Sequence, residues 1–96
     1  MTHAGDNERF DMPELSELRR EIDRIDGEIF RLFSERAGVA EQVAAYKREH
    51  DMRVFDPARE RAKVADAADR APRDLATYAQ VLMELLMEAS RARQHA

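Results

Sequence analysis

The sequence predicts an all-α protein with three helices per chain, the first of them very long. Ala, Leu, Glu, Arg and Met dominate the composition, and these residues are strong helix formers. The 96 residues include only three glycines and three prolines, so few positions interrupt a helix. Apolar residues recur at intervals of three and four, as they do on one face of a helix. A chain of this length forms one small domain.

The first helix is expected from about Pro13 to His50. Asp11 and Glu14 have the spacing of a capping box at its start, with Asp in place of Ser or Thr. Residues 1–12 carry no recognisable motif and are interpreted as a flexible N-terminal extension. The domain itself is therefore expected to cover residues 13–96.

Two shorter helices are expected over residues 57–70 and from about Asp74 to Arg93. Asp56 is followed by a proline, which is the pattern of an N-cap before the first helical residue. Pro72 closes the second helix, and Asp74 is placed to cap the third.

The seam of the first helix predicts a second chain. Its members alternate in steps of three and four: Leu15, Leu18, Ile22, Ile25, Ile29, Leu32, Arg36, Val39, Val43 and Tyr46. A helix of about 37 residues is roughly 55 Å long, whereas a globule of this chain length is only about 25 Å across. Because one chain cannot cover such a helix, we expect an intertwined helical homodimer.

The third helix carries two neighbouring stripes. The first consists of Leu75, Tyr78, Leu82, Leu85, Ala89 and Ala92, and the second of Met83, Met87, Ser90 and Gln94. The second stripe turns polar toward its end, which is typical of a helix that lines a cavity with its last turns. The alternative interpretation, which the spacing alone favours, makes Ser90 and Gln94 solvated terminal residues.

Composition excludes several classes of function. A net charge of −4 with interleaved signs argues against binding to nucleic acid, and no apolar run is long enough to span a membrane. The chain has no cysteine, and its three histidines lie far apart, so neither a metal site nor a bound cofactor is expected. The N-terminus lacks the apolar stretch of a signal peptide, which favours a cytoplasmic protein.

Arg36 is the one charged residue on the apolar seam. A buried, unpaired guanidinium is too costly to tolerate, so this side chain must meet an anion. An ion pair with a Glu of a neighbouring helix is one interpretation. The other is a bound dicarboxylate, since Lys47 lies about three turns further on the same face, about 16 Å along the axis. Arg19 is about 25 Å from Arg36 and could join that site only from an antiparallel partner chain.

The start of the second helix brings Asp56, Arg59 and Glu60 together. Capping and the helix dipole account for the acidic residues but not for Arg59. No nucleophile–base pair and no phosphate-binding loop is recognisable. Cations, amides and carboxylates of this kind suit a reaction that needs electrostatic complementarity to its transition state and no covalent partner.

These residues resemble the all-α chorismate mutases over about residues 14–94. The matching elements, in order along the chain, are Leu18-Arg19-Arg20-Glu21-Ile22-Asp23-x-Ile25-Asp26, Glu35-Arg36, Val43-x-x-x-Lys47, Asp56-x-x-Arg59-Glu60 and Ser90-x-x-x-Gln94. Each element alone is a weak signal, but five elements in register are a strong one.

The resemblance implies an isomerase that rearranges chorismate to prephenate for phenylalanine and tyrosine synthesis, with no cofactor or metal. It implies that Arg36, together with Arg19 of the other subunit, holds the two carboxylates of the substrate. It also implies that Lys47 and Gln94 donate hydrogen bonds to the ether oxygen, and that Ser90 lies against a carboxylate.

The same resemblance assigns the remaining wall of the site. Glu60 and the backbone near Asp56 are implied to engage the ring hydroxyl. Arg59 is implied to be a supporting residue that orients Glu60 or another wall of the site. Val43 and Met87 are implied to pack on the apolar parts of the substrate. Two alternatives remain: an isochorismate pyruvate-lyase or an aminodeoxychorismate mutase on the same scaffold, and a non-catalytic helical dimerisation module.

Overall fold

A computed structural model describes residues 14–94 of the chain, and all of the regular structure in that range is helical. Helix α1 spans Leu15–Glu49, α2 spans Pro57–Arg70 and α3 spans Ala76–Gln94, with a short 3₁₀ turn at Arg73–Leu75 before α3. The predicted all-α class and the long first helix, of 35 residues, are confirmed. None of the helices in this range is long and apolar enough to cross a membrane.

Helix α1 begins at Leu15, two residues later than expected. The carbonyl oxygen of Glu14 accepts hydrogen bonds from the backbone N–H groups of Glu17 and Leu18, at 3.0 Å each. The carboxylate of Glu17 accepts a bond from the Glu14 N–H at 3.4 Å, which is the reach-back half of a capping box. The predicted cap at Asp11, Pro13 and the extension over residues 1–12 lie outside the described residues.

The chain divides into two units, and the first ends at Leu32. Its described part is the first half of α1, whose polar face carries two ion pairs at i,i+3 spacing, Glu21–Arg24 at 3.0 Å and Glu28–Arg31 at 2.9 Å. Hydrogen bonds from the two arginines hold the pKa of Glu21 and of Glu28 below the ordinary value. The other face carries large apolar side chains that are exposed in the single chain, namely Leu15, Leu18, Ile22, Ile25, Ile29 and Leu32.

The second unit begins at Phe33 and contains the rest of α1, both shorter helices and the loop between α1 and α2. Helix α1 ends in a Schellman motif, in which Met52 N–H donates to the Lys47 carbonyl at 2.7 Å. Asp51 provides the left-handed residue that this motif requires, with φ 55°. The chain can therefore turn sharply toward α2.

The predicted start of α2 is confirmed. The Asp56 carboxylate accepts a hydrogen bond from Arg59 N–H at 3.0 Å, and Pro57 is the first helical residue. The helix ends at Arg70, and Ala71 is extended, as expected for a residue that precedes a proline.

The predicted start of α3 is wrong in its detail. Asp74 caps no helix, because it lies inside the 3₁₀ turn, which is closed by a 2.8 Å bond from Leu75 N–H to the Pro72 carbonyl. The fixed φ of Pro72 starts this turn directly, and α3 continues from Ala76 to Gln94. The third helix thus ends one residue beyond the expected Arg93.

Within the second unit, small residues form the contact between helices. Ala37, Ala44, Ala67 and Met87 are the buried apolar side chains of the described range, and no large side chain there is fully buried. Helices α2 and α3 approach each other closely, whereas long side chains such as Arg36 and Gln94 join α1 to α3. The larger apolar residues of the same helices remain exposed, among them Val39, Val43, Tyr46, Tyr78, Leu82 and Leu85.

Candidate active site

A cleft of about 310 Å³ lies between the second half of α1, the loop before α2, the first turns of α2 and the end of α3. Its volume is at the lower end of the range usual for small-molecule sites. All of the lining residues belong to the second unit: Arg36, Val39, Ala40, Val43, Lys47, Val54, Phe55, Asp56, Arg59, Glu60, Lys63, Met87, Ser90, Arg91 and Gln94.

The side chain of Arg36 extends from α1 to α3 and contacts three of its residues. Its Nη1 donates to the Ser90 hydroxyl at 2.9 Å and to the Leu86 carbonyl at 3.3 Å, and its Nη2 lies 4.0 Å from the Met83 sulfur. All of these partners are neutral, and within residues 14–94 the guanidinium forms no ion pair. The structure thus gives Arg36 no Glu partner among residues 14–94, and an Arg–Glu pair with a neighbouring helix is not seen within this range. The position of Arg36 is fixed, but its charge is not compensated.

Ser90 and Gln94 are not solvated terminal residues, so that interpretation is wrong. Ser90 is buried, with 8% of its surface exposed, and its hydroxyl donates to the Leu86 carbonyl at 3.0 Å. Gln94 is half-buried, and its Nε2 donates to the Ala40 carbonyl of α1 at 3.1 Å. The neighbouring Arg93 forms an ion pair with Glu41 of α1. The last turn of α3 is therefore joined to α1 by two contacts, one from Arg93 and one from Gln94.

Lys47 lies in the last turn of α1, where the loop to α2 begins. Its ammonium donates to the Val54 carbonyl at 3.3 Å, while its own carbonyl accepts the bond that closes the Schellman motif. An ammonium has three N–H donors, so two are left for a ligand. The loop thus fixes the position of this cation without neutralising it.

On α2, a single face carries the charged residues of the cleft. Asp56, Arg59, Glu60 and Lys63 follow each other at helical spacing. Asp56 is engaged as the N-cap, and Glu60 forms an ion pair with Arg91 of α3. The partner of Glu60 is therefore Arg91, although the motif had suggested Arg59 for this role.

Nine of the ten expected site residues line this cleft, namely Arg36, Val43, Lys47, Asp56, Arg59, Glu60, Met87, Ser90 and Gln94. The tenth, Arg19, lies in the first unit and is exposed. The roles expected for these residues remain predictions. Within residues 14–94, no group of three His, Cys, Asp or Glu side chains is arranged to hold a metal ion.

Two cations of the cleft, Lys63 and Arg91, were missed by the sequence reasoning. Lys63 could have been found, because it lies four residues after Arg59 and seven after Asp56 on one helical face. Arg91 directly follows Ser90 and is offset from the stripe that contains it, so the periodicity of α3 gave no signal for it.

A second cleft of about 480 Å³ lies on the other side of the Glu60–Arg91 pair. It shares Phe55, Glu60, Met87 and Arg91 with the first cleft and adds Pro57, Arg61, Val64, Glu84 and Glu88. The ion pair therefore belongs to the wall between the two clefts.

The family model described as chorismate mutase type II matches residues 18–95 of the chain. A segment of 50 residues is 50% identical to the bifunctional chorismate mutase/prephenate dehydratase of Aquifex aeolicus (strain VF5), which corresponds to 52% of this chain and 14% of that protein. The chain thus spans only a small part of the length of this relative. No solved structure matches it significantly.

Proposed function

The chain belongs to the chorismate mutase type II family, and from this premise we propose that it catalyses the rearrangement of chorismate to prephenate in the cleft lined by Arg36, Lys47 and Gln94. The observation that carries the proposal is the fixed but uncompensated Arg36 guanidinium, bound only to neutral acceptors. A cation held in this way is prepared for an anionic ligand, because its position requires no further ordering.

The charge of the cleft supports a dianionic substrate. The lining contains five cationic side chains, Arg36, Lys47, Arg59, Lys63 and Arg91, and two acidic ones, Asp56 and Glu60. The difference, five minus two, is three positive charges. The two carboxylates of chorismate complement most of this excess, with Arg36 and Ser90 placed to meet one of them.

Lys47 and Gln94 are proposed to stabilise the transition state. In the rearrangement the C–O bond breaks ahead of C–C bond formation, so negative charge grows on the ether oxygen. Lys47 retains two N–H donors beside its bond to Val54, and the Gln94 amide retains one beside its bond to Ala40. Donors aimed at the growing charge bind the transition state more tightly than the ground state.

The opposite wall is proposed to position the ring. Glu60 has one carboxylate oxygen engaged by Arg91, which leaves the other free to accept a hydrogen bond from the ring hydroxyl. Val43 and Met87 offer apolar surface to the rest of the substrate, and Met87 is buried. Holding the flexible dianion in its compact conformer is an orientation effect, which lowers the barrier without covalent chemistry.

We also propose that the protein is a homodimer and that the second copy completes the site with Arg19. The support is the exposure of the large seam residues of α1, with Ile25 42% exposed, Ile29 52% and Val43 45%. Soluble proteins rarely leave apolar surface of this extent uncovered. In each unit the exposed large residues include the members of the α1 seam, whose spacing predicted a partner helix. The cytoplasmic location remains a prediction from composition.

The activity is tested by incubating the protein separately with chorismate and with isochorismate and identifying the products. Prephenate from chorismate is the expected result. Release of pyruvate from isochorismate, without turnover of chorismate, would replace the proposal by the lyase. No reaction with either substrate would leave an aminodeoxychorismate mutase or a non-catalytic dimerisation module.

The shared site is tested by mixing two inactive variants, Arg19→Ala and Lys47→Ala. Light scattering should first show about twice the chain mass of 11.1 kDa. After subunit exchange, half of the dimers are mixed, and each mixed dimer has one intact site, so about a quarter of the wild-type activity should return. A fully active monomer, or no recovery after verified exchange, would show that Arg19 does not act across an interface.

A further inference from the structure

Arg91 makes contacts that the motif of the family does not account for. It lies in the last turns of α3, its guanidinium pairs with the Glu60 carboxylate of α2, and it lies 6.0 Å from the centre of the Phe55 ring. The side chains of the pair are 38% and 25% exposed, so both are half-buried. An exposed ion pair contributes little, whereas a half-buried pair stacked on an aromatic ring is held in one geometry.

The surroundings of Glu60 show what this geometry prevents. Arg59 and Lys63 line the same cleft, and Lys63 lies three residues after Glu60 on its helical face. Lys63 also contributes, after Arg70, to lowering the pKa of Asp66. A Glu60 side chain without Arg91 could turn to Lys63 at i,i+3 spacing, or to another cation of the cleft. The Glu60 carboxylate would then pair with cations that a dianionic ligand needs.

We propose that Arg91 is a positioning residue that holds Glu60 in the wall of the cleft and thereby keeps Arg59 and Lys63 available to the substrate. The inference rests on the proposed function for its substrate but concerns the charge state of the cleft, which any small dicarboxylate can report. Arg91 itself need not touch the substrate. It acts by removing a competing carboxylate and by orienting the free oxygen of Glu60.

The inference predicts a specific kinetic pattern for Arg91→Met, which keeps a long apolar side chain over Phe55. The freed Glu60 carboxylate competes with substrate in the free enzyme, so KM should rise about tenfold while kcat changes by less than about threefold. Arg91→Lys retains the charge and should stay within about threefold of wild type in KM.

The Glu60→Gln background separates positioning from a structural role. A neutral amide does not compete for cations, so adding Arg91→Met to Glu60→Gln should change KM by less than about twofold. If Arg91 stabilised the fold through contacts other than Glu60, its effect would be the same in both backgrounds, and urea unfolding of Arg91→Met shows whether loss of the pair itself destabilises the fold. Arg24→Met is the matched control, because it removes another Arg–carboxylate pair, with Glu21 at 3.0 Å, and neither residue lines a cleft.

The experiment combines chorismate kinetics with a calorimetric titration of succinate, a dicarboxylate that does not react. Succinate should bind Arg91→Met about tenfold more weakly than wild type. It should bind Arg24→Met and wild type equally well, with circular dichroism confirming each fold. Unchanged succinate affinity in Arg91→Met, or equal effects of this substitution in both Glu60 backgrounds, would overturn the inference. If wild type binds succinate but does not convert chorismate, the proposed function fails, and the titration still decides the role of Arg91.

Discussion

Replacing Gln94 by glutamate tests the donor proposed for the ether oxygen. One N–H of the Gln94 amide bonds to the Ala40 carbonyl at 3.1 Å, and the other is free for the substrate. An ionised glutamate has no donor, and it would place a charged oxygen beside that carbonyl oxygen. Only the protonated form of Gln94→Glu can replace one of these hydrogen bonds.

The size of the effect follows from the protonated fraction. A lost donor at a growing oxyanion costs about 3 kcal/mol, or about a hundredfold in rate. A glutamate that titrates near 4.3 is almost fully ionised at pH 7.5, but about one molecule in six is protonated at pH 5. The C-terminal end of α3 disfavours a negative charge at this position, while the cations of the cleft favour it. Gln94→Glu should therefore lose most of its kcat/KM at pH 7.5 and recover a substantial part near pH 5.

The assay is kcat/KM for chorismate against pH, with circular dichroism at each pH. Gln94→Met is the matched control, because it removes the donor without adding a titrating group and should be equally impaired at both pH values. Wild type should show no comparable gain in acid. Activity of Gln94→Glu equal to wild type at pH 7.5, or an equal acid gain in Gln94→Met, would refute the role of the amide.

Two further predictions concern stability, measured by urea unfolding at one fixed chain concentration, since a dimer's stability depends on concentration. Gly27→Ala should raise the free energy of unfolding by about 0.5–1 kcal/mol, because Gly27 is inside α1, no atom lies within 4 Å of an added Cβ, and the position faces away from the seam. A loss of stability would mean that a neighbour packs there. Asp51→Gly should add about 0.5–1 kcal/mol by relieving the left-handed φ of 55° that closes α1. No gain would show that the Asp51 side chain stabilises the turn by as much as its φ costs.

Local signals in the sequence were sufficient to predict the helices. The Asp56–Pro57 pair fixes the start of α2 through one side chain and one dihedral angle, and both act within four residues. At Asp74 two local signals competed, and the proline two residues earlier prevailed, because its fixed φ starts the turn before a side-chain cap can act. Errors of this kind move a boundary by about two residues and leave the fold class unchanged.

The assignment of the inner and outer faces was harder to predict. The seam of α1 was predicted to meet a second chain, and its large residues are exposed in the single chain. The buried side chains are Ala37 and Ala44 on α1, and Met87 and Ser90 on α3. The sequence shows two stripes on α3 but does not say which of them meets the same chain. That depends on the tertiary packing, which periodicity alone does not specify.

Arg36 connects this packing with the proposed chemistry. Its place on an apolar seam indicated an anion, and periodicity alone could not decide between an acidic residue and a ligand. In the structure its partners on α3 are the Ser90 hydroxyl, the Leu86 carbonyl and the Met83 thioether. These groups orient the guanidinium but leave its charge unbalanced. A carboxylate from the chain at this position would have stabilised the free protein and blocked the substrate. Arg91 meets the same requirement on the other wall, since its pairing with Glu60 withdraws a carboxylate of the cleft lining that could otherwise compete for the cleft cations.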